Sequence, residues 1–588
     1  MAMFQIKTAL GYCTGIAAAL FCCTGLAQQP ATTTLQPLPP HLMTGIGNAS
    51  IDITTTSPDA RLWFEQGLNL LHDFWDFESI RSFEHATKAD PKCAMCWWGL
   101  YEAVGFRGDD DKDESKAALA NAKKFAKHAT EPEKLYIKAA AQGDGHPRRS
   151  RKHDEDDNAL HKDSDETKTL RKLVALSPQD TQAKIYLAES LLDGFKKNGD
   201  PRAGTVEGQV ILSQILIDHP DDSAANHYWI HAVEPGNHPE LALASARKLA
   251  RLAPASGHMV HMPGHIFYRT GDYESARISF QNSLDTDAAY MHAQHVPVDD
   301  DWNYVHNMMY LIADLLEEGR MKEASEVSQE LNQARGQTRA TLYNFSTRDG
   351  LTRLNVALPV ALRAADWTKA SSMLEASAPD KALKNLTWLR GALLEYTLGM
   401  KALDASNTAD ASRHLDALNA ALKAKPAESK MSDMPMPGAP PIDMEMGPAH
   451  TFMDVADLEL QGAVLTAQNK PAEADAAFKK ATDAEVALGY REPPYYVRPV
   501  GETRGDALLR AGRYVEAKQA YEDALKERPD SGFPLYGIAR ADAAAKNDAA
   551  ATADYKRLLA AWPHADPDLP QLKDAHAWLQ QHQTAGAE

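Results

Sequence analysis

A glycine followed 16 positions later by an aromatic residue recurs along the chain. Small residues stand 12 and 19 positions after that glycine, so each unit sets one large ring among small side chains. Four segments share this spacing: Gly67, Ser79, Phe83 and Ala86; Gly264, Ala276, Phe280 and Ser283; Gly462, Ala474, Phe478 and Ala481; and Gly505, Ala517, Tyr521 and Ala524. Small residues let two helices cross closely, and the ring fills the space beside the crossing. The spacing therefore predicts an array of helix–turn–helix hairpins.

Prolines stand where several of these hairpins would end, at Pro91, Pro220, Pro254, Pro529 and Pro563. The intervals from Pro220 to Pro254 and from Pro529 to Pro563 are both 34 residues long. A chain of 588 residues is too long for one compact core, whereas stacked hairpins extend their core along one axis. Length and period together favour a solenoid over a globular domain.

The segment LWFEQGLNLLHDFWDFESIRSFEHATKADP resembles the tetratricopeptide repeat (TPR) proteins, with Trp63, Gly67, Phe83 and Pro91 in register. The resemblance covers most of residues 58–565. It implies an all-α fold, a right-handed superhelical solenoid of TPR-type helix hairpins. It also implies that the first helix of each hairpin lines a concave groove.

A second segment, APASGHMVHMPGHIFYRTGDY, contains a His-Met-Pro-x-His core. It resembles a group of exported bacterial TPR proteins that share this core and have no established reaction. The likeness implies the fold and leaves the chemistry of the chain open.

Changes in composition divide the chain into seven segments. The division predicts a signal peptide (1–27), a flexible leader (28–57), N-terminal TPR hairpins (58–142), a charged insertion (143–166), a central TPR array with a histidine-rich groove (167–424), a linker rich in Met and Pro (425–450) and C-terminal TPR hairpins (451–588).

The N-terminus predicts export. Lys7 supplies a positive charge, residues 8–26 are mostly apolar or small, and cleavage is expected after Ala27. No later apolar run reaches the roughly 20 residues that cross a bilayer, so we expect a periplasmic or secreted protein without a membrane span. The formal charge of −19 argues against non-specific nucleic-acid binding, and the oligomeric state stays open.

Cys93 and Cys96 are the two cysteines that remain after the signal peptide is removed. In an oxidising compartment such a pair can form a local disulfide, bind a soft metal or exchange thiols. The alternative is two small, half-buried residues at the start of a helix. The sequence alone leaves these possibilities open.

Histidines concentrate in the middle of the chain, where ten of the 22 lie within residues 219–306. One repeat of 34 residues takes His227 to His261 and His231 to His265. Equivalent positions of stacked hairpins lie on neighbouring first helices, whose axes are about 8–10 Å apart. We therefore expect imidazoles from successive helices to converge.

The third helix of this series follows at a longer interval. His258 lies 48 residues before His306, the same interval that separates the turns at Gly271 and Gly319. The candidate metal ligands are His227, His231, Glu234, His258, His261, His265 and His306. Imidazole and carboxylate suit Zn, Cu or Fe. The alternative is a polar groove whose histidines bond only to protein groups.

Four further residues are expected to line the groove or contact its ligand: His72, Tyr268, Arg269 and Arg498. We interpret the chain as an exported TPR scaffold whose groove binds a metal ion, a protein or peptide partner, or both. The alternative function is a metal-dependent enzyme with a His/Glu site in the same groove. The sequence contains no recognisable motif for a nucleophile or a nucleotide, which favours the scaffold.

Overall fold

The computed structural model describes residues 38–105, 112–143, 161–298, 301–334, 348–381, 383–426, 447–494 and 496–583. Within these residues the secondary structure is helical, and the only β contact is an isolated bridge. The 26 α-helices are α1 Pro58–His72, α2 Asp76–Ala89, α3 Ala94–Gly105, α4 Lys112–Phe125, α5 Glu131–Ala140, α6 Asp165–Leu176, α7 Thr181–Leu191, α8 Ala203–Asp218, α9 Ser223–Val233, α10 Leu243–Leu252, α11 Gly257–Thr270, α12 Tyr273–Gln294, α13 Trp302–Glu317, α14 Met321–Leu331, α15 Gly350–Leu354, α16 Leu358–Arg363, α17 Trp367–Ala376, α18 Lys384–Asp404, α19 Thr408–Lys423, α20 Gly447–Ala467, α21 Pro471–Ala487, α22 Val500–Arg510, α23 Tyr514–Glu527, α24 Gly532–Ala544, α25 Asp548–Ala561 and α26 Pro570–Gln583.

The helices pack as consecutive hairpins. α1 packs with α2, α3 with α4, and the pairing continues through α13 and α14; from α16 it resumes through α24 and α25. First helices of neighbouring hairpins also touch, as α9 touches α11 and α11 touches α13. The chain is an all-α superhelical solenoid of TPR-type hairpins, which confirms the predicted fold class.

The recurring glycine and aromatic residue meet at the helix crossings. Each of the four rings lies against its own glycine, in the pairs Gly67–Phe83, Gly264–Phe280, Gly462–Phe478 and Gly505–Tyr521. A Cβ added to any of these glycines would lie 2.3 to 2.9 Å from the ring. The rings are buried in the core. The glycine is therefore required because the ring occupies the volume of its missing side chain.

The N-terminal leader differs from the flexible segment that we expected. Residues 38–57 form no regular secondary structure, but the backbone N–H and C=O of Ala49 are both bound by the side-chain amide of Asn69 at 2.7 and 2.9 Å. Ile51 and Ile53 are buried against the hairpins. The segment is ordered because its apolar side chains leave water and α1 supplies hydrogen bonds to its backbone.

Two predicted insertions overlap helices at their C-terminal ends. Residues 144–160 and 427–446 lie outside the described residues, as does the predicted signal peptide. α6 nevertheless begins at Asp165, capped by Ser164, and α20 begins at Gly447, so the predicted insertion overlaps α6 by two residues and the predicted linker overlaps α20 by four.

Cys93 and Cys96 form a disulfide at the start of α3. Both residues are buried, so the sulfurs are shielded from partners that would exchange thiols. Within the described ranges, no helix combines the length and apolar character that crossing a membrane requires.

Distant parts of the chain contact the central helices. At the N-terminal side, the carbonyl oxygen of His72 at the end of α1 lies 2.6 Å from Nδ1 of His227 on α9. At the C-terminal side, the hydroxyl of Tyr490 donates to Glu234 at 3.1 Å. Because the solenoid curves back on itself, the histidine-rich helices are contacted from both sides.

Candidate metal centre

The first candidate site is built by α9 and α11. Asp222 caps α9 by accepting from the backbone N–H of Ala225 at 2.8 Å, and the helix then places His227 and His231 one turn apart. His258 on α11 faces this pair. A ligand atom on each of the three histidines lies within 4.8 Å of the other two. We call His227, His231 and His258 the first cluster.

The second candidate site repeats this arrangement one hairpin further along. Ser256 caps α11, which places His261 and His265 one turn apart, and His306 approaches them from α13. Ligand atoms of these three histidines also lie within 4.8 Å of one another. We call His261, His265 and His306 the second cluster. The repeat predicted that imidazoles on neighbouring first helices converge, and the structure brings them together as two triads.

The Nδ1 atoms of these histidines face hydrogen-bond acceptors. His227 directs Nδ1 at the carbonyl oxygen of His72, which can only accept, so its hydrogen is on Nδ1. His261 directs Nδ1 at Oδ1 of Asn307 at 2.7 Å, and that amide is oriented because its Nδ2 donates to the carbonyl of Phe280 at 2.8 Å. When either ring is neutral, it therefore presents the lone pair of Nε2 to the cluster.

Glu234 connects the two clusters through its two oxygens. Nδ1 of His231 lies 2.7 Å from Oε1, and Nδ1 of His265 lies 2.9 Å from Oε2. Burial alone would raise the pKa of Glu234, but the two histidines outweigh it and hold that pKa well below its usual value. The carboxylate is therefore ionised, and it orients one histidine of each cluster as outer carboxylates do in metal sites.

Within each cluster two Nε2 atoms point at each other. The distance is 3.1 Å between His231 and His227, and 2.7 Å between His265 and His261. Two nitrogen lone pairs this close repel each other unless a cation lies between them. That cation is either a proton carried by one ring or a metal ion bound by both.

The two facing rings of the second cluster differ in how readily they bind a proton. Burial lowers the pKa of His265, but Glu492 and Glu234 outweigh burial and raise it above its usual value. Burial, followed by the charge of His265, holds the pKa of His261 well below its usual value. A proton shared by the two rings therefore belongs to His265, whose Nε2–H would donate to His261.

A loop from the C-terminal half reaches this cluster. Residues 489–494 connect α21 towards α22 and carry Tyr490 and Glu492. Glu492 Oε2 lies 3.9 Å from Nδ1 of His265 and 3.9 Å from Nε2 of His306. The guanidinium of Arg269 lies 5.3 Å from the ring centre of Tyr490, as a cation–π contact.

The turn between α1 and α2 places Phe74 against the first cluster. Its backbone has φ 60°, which is unfavourable for a bulky side chain. The Phe74 ring centre lies 4.4 Å from that of His227, 5.2 Å from His231 and 5.3 Å from His258. Phe74 therefore forms an apolar wall of the site, a role that the sequence pattern did not indicate.

The four other residues expected to line the groove have different surroundings. His72 is buried at the end of α1, where burial lowers its pKa to about 4. Arg269 lies beside the second cluster, as described above. Tyr268 lines a separate cavity next to α16. Arg498 forms an ion pair with Asp506 at 2.6 Å, away from the histidines.

The clusters are more enclosed than an open groove. The side chains of His261 and His265 are buried, whereas those of His231 and His306 are 21% and 16% exposed. The clusters are enclosed because the α1–α2 turn and the 489–494 loop cover the first helices. Water reaches the site beside His231, His306 and Glu492.

Sequence reasoning also missed the polar residues of α13 that support the clusters. Asn303 directs Oδ1 at Nδ1 of His258 at 3.2 Å, and Asn307 does the same for His261. Tyr310 stacks on His265 with ring centres 4.4 Å apart. The helical spacing of NYVHNMMY places Asn303, Asn307 and Tyr310 on one face with His306, so this signal was present in the sequence.

The donor set fits a transition metal. Zn–N bonds of about 2.0–2.1 Å at a tetrahedral angle separate two ligand nitrogens by about 3.3 Å. The Nε2 pairs stand at 3.1 and 2.7 Å, and small side-chain shifts reach that separation. Zn, Cu and Fe all accept imidazole.

The fold and the two triads define the chain as an all-α, TPR-type solenoid with a histidine-rich candidate metal centre. No family model matches the sequence, and no curated protein matches it. Solved structures with similar folds include yeast Tom70 (12% identity, TM-score 0.28, covering 89% of this chain and 96% of that one). They also include a human IFIT1 dimer with m7Gppp-AAAA (11%, 0.33, 87% and 91%) and the P58(IPK) TPR domain (12%, 0.20, 83% and 99%). Because these TM-scores are low, the fold is assigned from the packing of the helix pairs themselves.

Proposed function

We propose that this protein binds transition-metal ions at the two histidine clusters. The observation that supports this most directly is the pair of facing Nε2 contacts, at 3.1 and 2.7 Å. Such contacts are unfavourable between two neutral rings that both carry their hydrogen on Nδ1, as the acceptors facing Nδ1 require here, and they become favourable when a cation lies between the Nε2 atoms. The hydrogen bonds from Nδ1 atoms to carbonyl, amide and carboxylate oxygens are the outer contacts that orient histidine ligands in metal sites.

The solenoid supplies a third histidine to each cluster, which a single helix lacks. One helix offers two histidines at i and i+4, and the neighbouring first helix adds a third. Three imidazoles suit Zn, Cu or Fe, and the nearby carboxylates offset part of the charge of the ion. We propose that each cluster holds one ion.

Metal analysis tests this proposal. We expect untagged protein, stripped with a chelator and reconstituted with Zn²⁺, to retain two ions per chain after removal of free metal. Elemental analysis with a protein assay gives the ratio, and circular dichroism verifies folding. A folded protein that retains no zinc, copper or iron would contradict the proposal.

Metal binding should weaken as the pH falls. The carboxylates of Glu492 and Glu234 raise the pKa of His265 above the usual 6.5, so a proton at this ring competes with the ion. The groups that face His265 are His261, His306, Glu234, Glu492, Tyr490, Tyr310 and Arg269. Because a raised pKa keeps the proton bound to a higher pH, competition begins above pH 6.5. Below it the zinc affinity of this site should fall about tenfold per pH unit.

Calorimetric titrations measure this effect. In two buffers of different ionisation enthalpy, they should show proton release on zinc binding near pH 6.5. An affinity that is the same at pH 6.5 and 5.5 would show that no ring proton is displaced.

We also propose that the scaffold binds extended polypeptide, and that it works outside the cytoplasm. Asn69 already holds the backbone of Ala49 through both of its amide atoms, so this surface is suited to an extended chain. The disulfide between Cys93 and Cys96 supports an oxidising compartment, as the predicted export signal does. A protein or peptide partner would be held through the same kind of backbone contact.

A further inference from the structure

We propose that Glu492 is the fourth ligand of the ion in the second cluster, so that metal binding fastens the 489–494 loop to α11 and α13. This inference rests on the proposed metal binding and adds one residue and one consequence to it. The resulting site has three imidazoles and one carboxylate, the number of protein ligands in closed zinc sites.

Distance supports this assignment. Glu492 Oε2 lies 3.9 Å from Nε2 of His306. Two atoms bound to one zinc ion at about 2.0–2.2 Å are separated by about 3.3 Å, so this pair of atoms is about 0.6 Å from the separation that a shared ion requires. Its side chain is 30% exposed and lies on a loop, where such a shift disturbs no packed helix.

The other nearby carboxylate is already engaged. Both oxygens of Glu234 accept from histidine Nδ1 atoms, and binding the ion would break those contacts. Glu492 also lies within 4.8 Å of ligand atoms on His231 and Glu234, so it faces the space between the clusters. At the first cluster, the apolar ring of Phe74 lies against all three histidines. The two sites therefore differ, and the carboxylate belongs to the second.

The loop is held in place by contacts that do not involve the ion. The Tyr490 hydroxyl donates to Glu234 at 3.1 Å and lies 3.4 Å from the hydroxyl of Tyr310, while Arg269 lies over its ring. These contacts present Glu492 beside His306 before any metal arrives. An ion bound by both would join α13 to a loop that lies nearly 200 residues further along the chain.

The test compares Glu492→Gln with Glu473→Gln in the full-length protein. Gln has nearly the size of Glu but is a poor metal ligand, and Glu473 is an exposed glutamate in the first turn of α21. In zinc titrations against a competing chelator, we expect Glu492→Gln to lower the zinc affinity of one site at least tenfold and to leave the affinity of the other site unchanged. Glu473→Gln should bind both ions like the wild type.

Hydrogen exchange gives a second readout that a general charge effect would not produce. Zinc should slow exchange in residues 489–494 of the wild type and of Glu473→Gln, and should have no such effect in Glu492→Gln. Two tight ions in Glu492→Gln, or zinc-dependent protection of the loop in that variant, would overturn the inference. If the wild type binds no zinc, the proposed function itself fails, so the two failures are distinguishable.

Discussion

Replacing His231 and His265 together should reduce the bound zinc from two ions per chain to none. Each change removes one Nε2 from a facing pair and leaves two imidazoles in each cluster. Loss of an outer contact alone typically costs 10–100-fold in metal affinity, and loss of a ligand should cost at least as much at each site. Elemental analysis after reconstitution measures the result.

The choice of substitute matters because these histidines also support Glu234. Alanine at both positions would leave that buried carboxylate without its two donors, which destabilises the protein. Asparagine is the better substitute, since its amide takes the place of Nδ1 and still donates to Glu234 while supplying no Nε2. We expect His231→Asn with His265→Asn to keep its helix content and lose both ions.

A matched control removes two histidines outside the clusters. His238 and His292 are exposed, and their double replacement by asparagine should retain both ions. Equal metal content in the two double variants would show that the clusters are not the binding sites.

Replacing Arg363 by alanine should strongly reduce the free energy of unfolding. Arg363 on α16 is only 1% exposed and lies between two buried carboxylates, with its nitrogens 2.9 Å from Glu317 and 2.9 Å from Glu502. It also donates to Ser531 at 3.0 Å, so one side chain joins α13, α16, α22 and the start of α24. Removing it takes the closest cation from two buried carboxylates and leaves them only Arg528 at 3.7 Å and Arg498 at 3.6 Å, at a cost of about 3–5 kcal/mol in the free energy of unfolding.

Denaturant unfolding of Arg363→Ala should be compared with that of Arg413→Ala. Arg413 forms an exposed ion pair with Asp410 on α19, and its loss should leave the unfolding midpoint unchanged, since exposed pairs contribute little. The Arg363 variant should unfold at a clearly lower denaturant concentration. Identical midpoints for the two variants would mean that the buried network contributes no stability.

Features set by local spacing were predictable from the sequence. The contact of Gly264 with Phe280 follows from the 16-residue offset, and the repeat predicts that histidines of α9 and α11 lie close together, although it pairs His227 with His261 rather than with His258. Periodicity encodes which residues share a helix face and which helices are neighbours. For that reason the fold class and the candidate ligands were available before the structure.

Features set by the curvature of the solenoid were not predictable. Phe74, Tyr490 and Glu492 reach the histidines from turns and loops that have no periodic relation to them. Arg363 is likewise paired with residues 46 and 139 positions away. Whether such segments meet depends on the total rotation accumulated over many hairpins of the superhelix. A local sequence pattern does not determine that total.

The contacts of the histidines with both ends of the array set an order of events for the nascent chain. His227 depends on the carbonyl of His72, 155 residues earlier, and Glu234 on Tyr490, 256 residues later. Contacts of such separation form late, because loop closure is costly until the intervening hairpins have folded. When the central helices have left the ribosome, the candidate ligands are therefore present, but the contacts that complete their surroundings have not yet formed. If the second cluster binds its ion through Glu492, as we propose, that ion is acquired at the end of maturation and marks a chain that has been synthesised past residue 492.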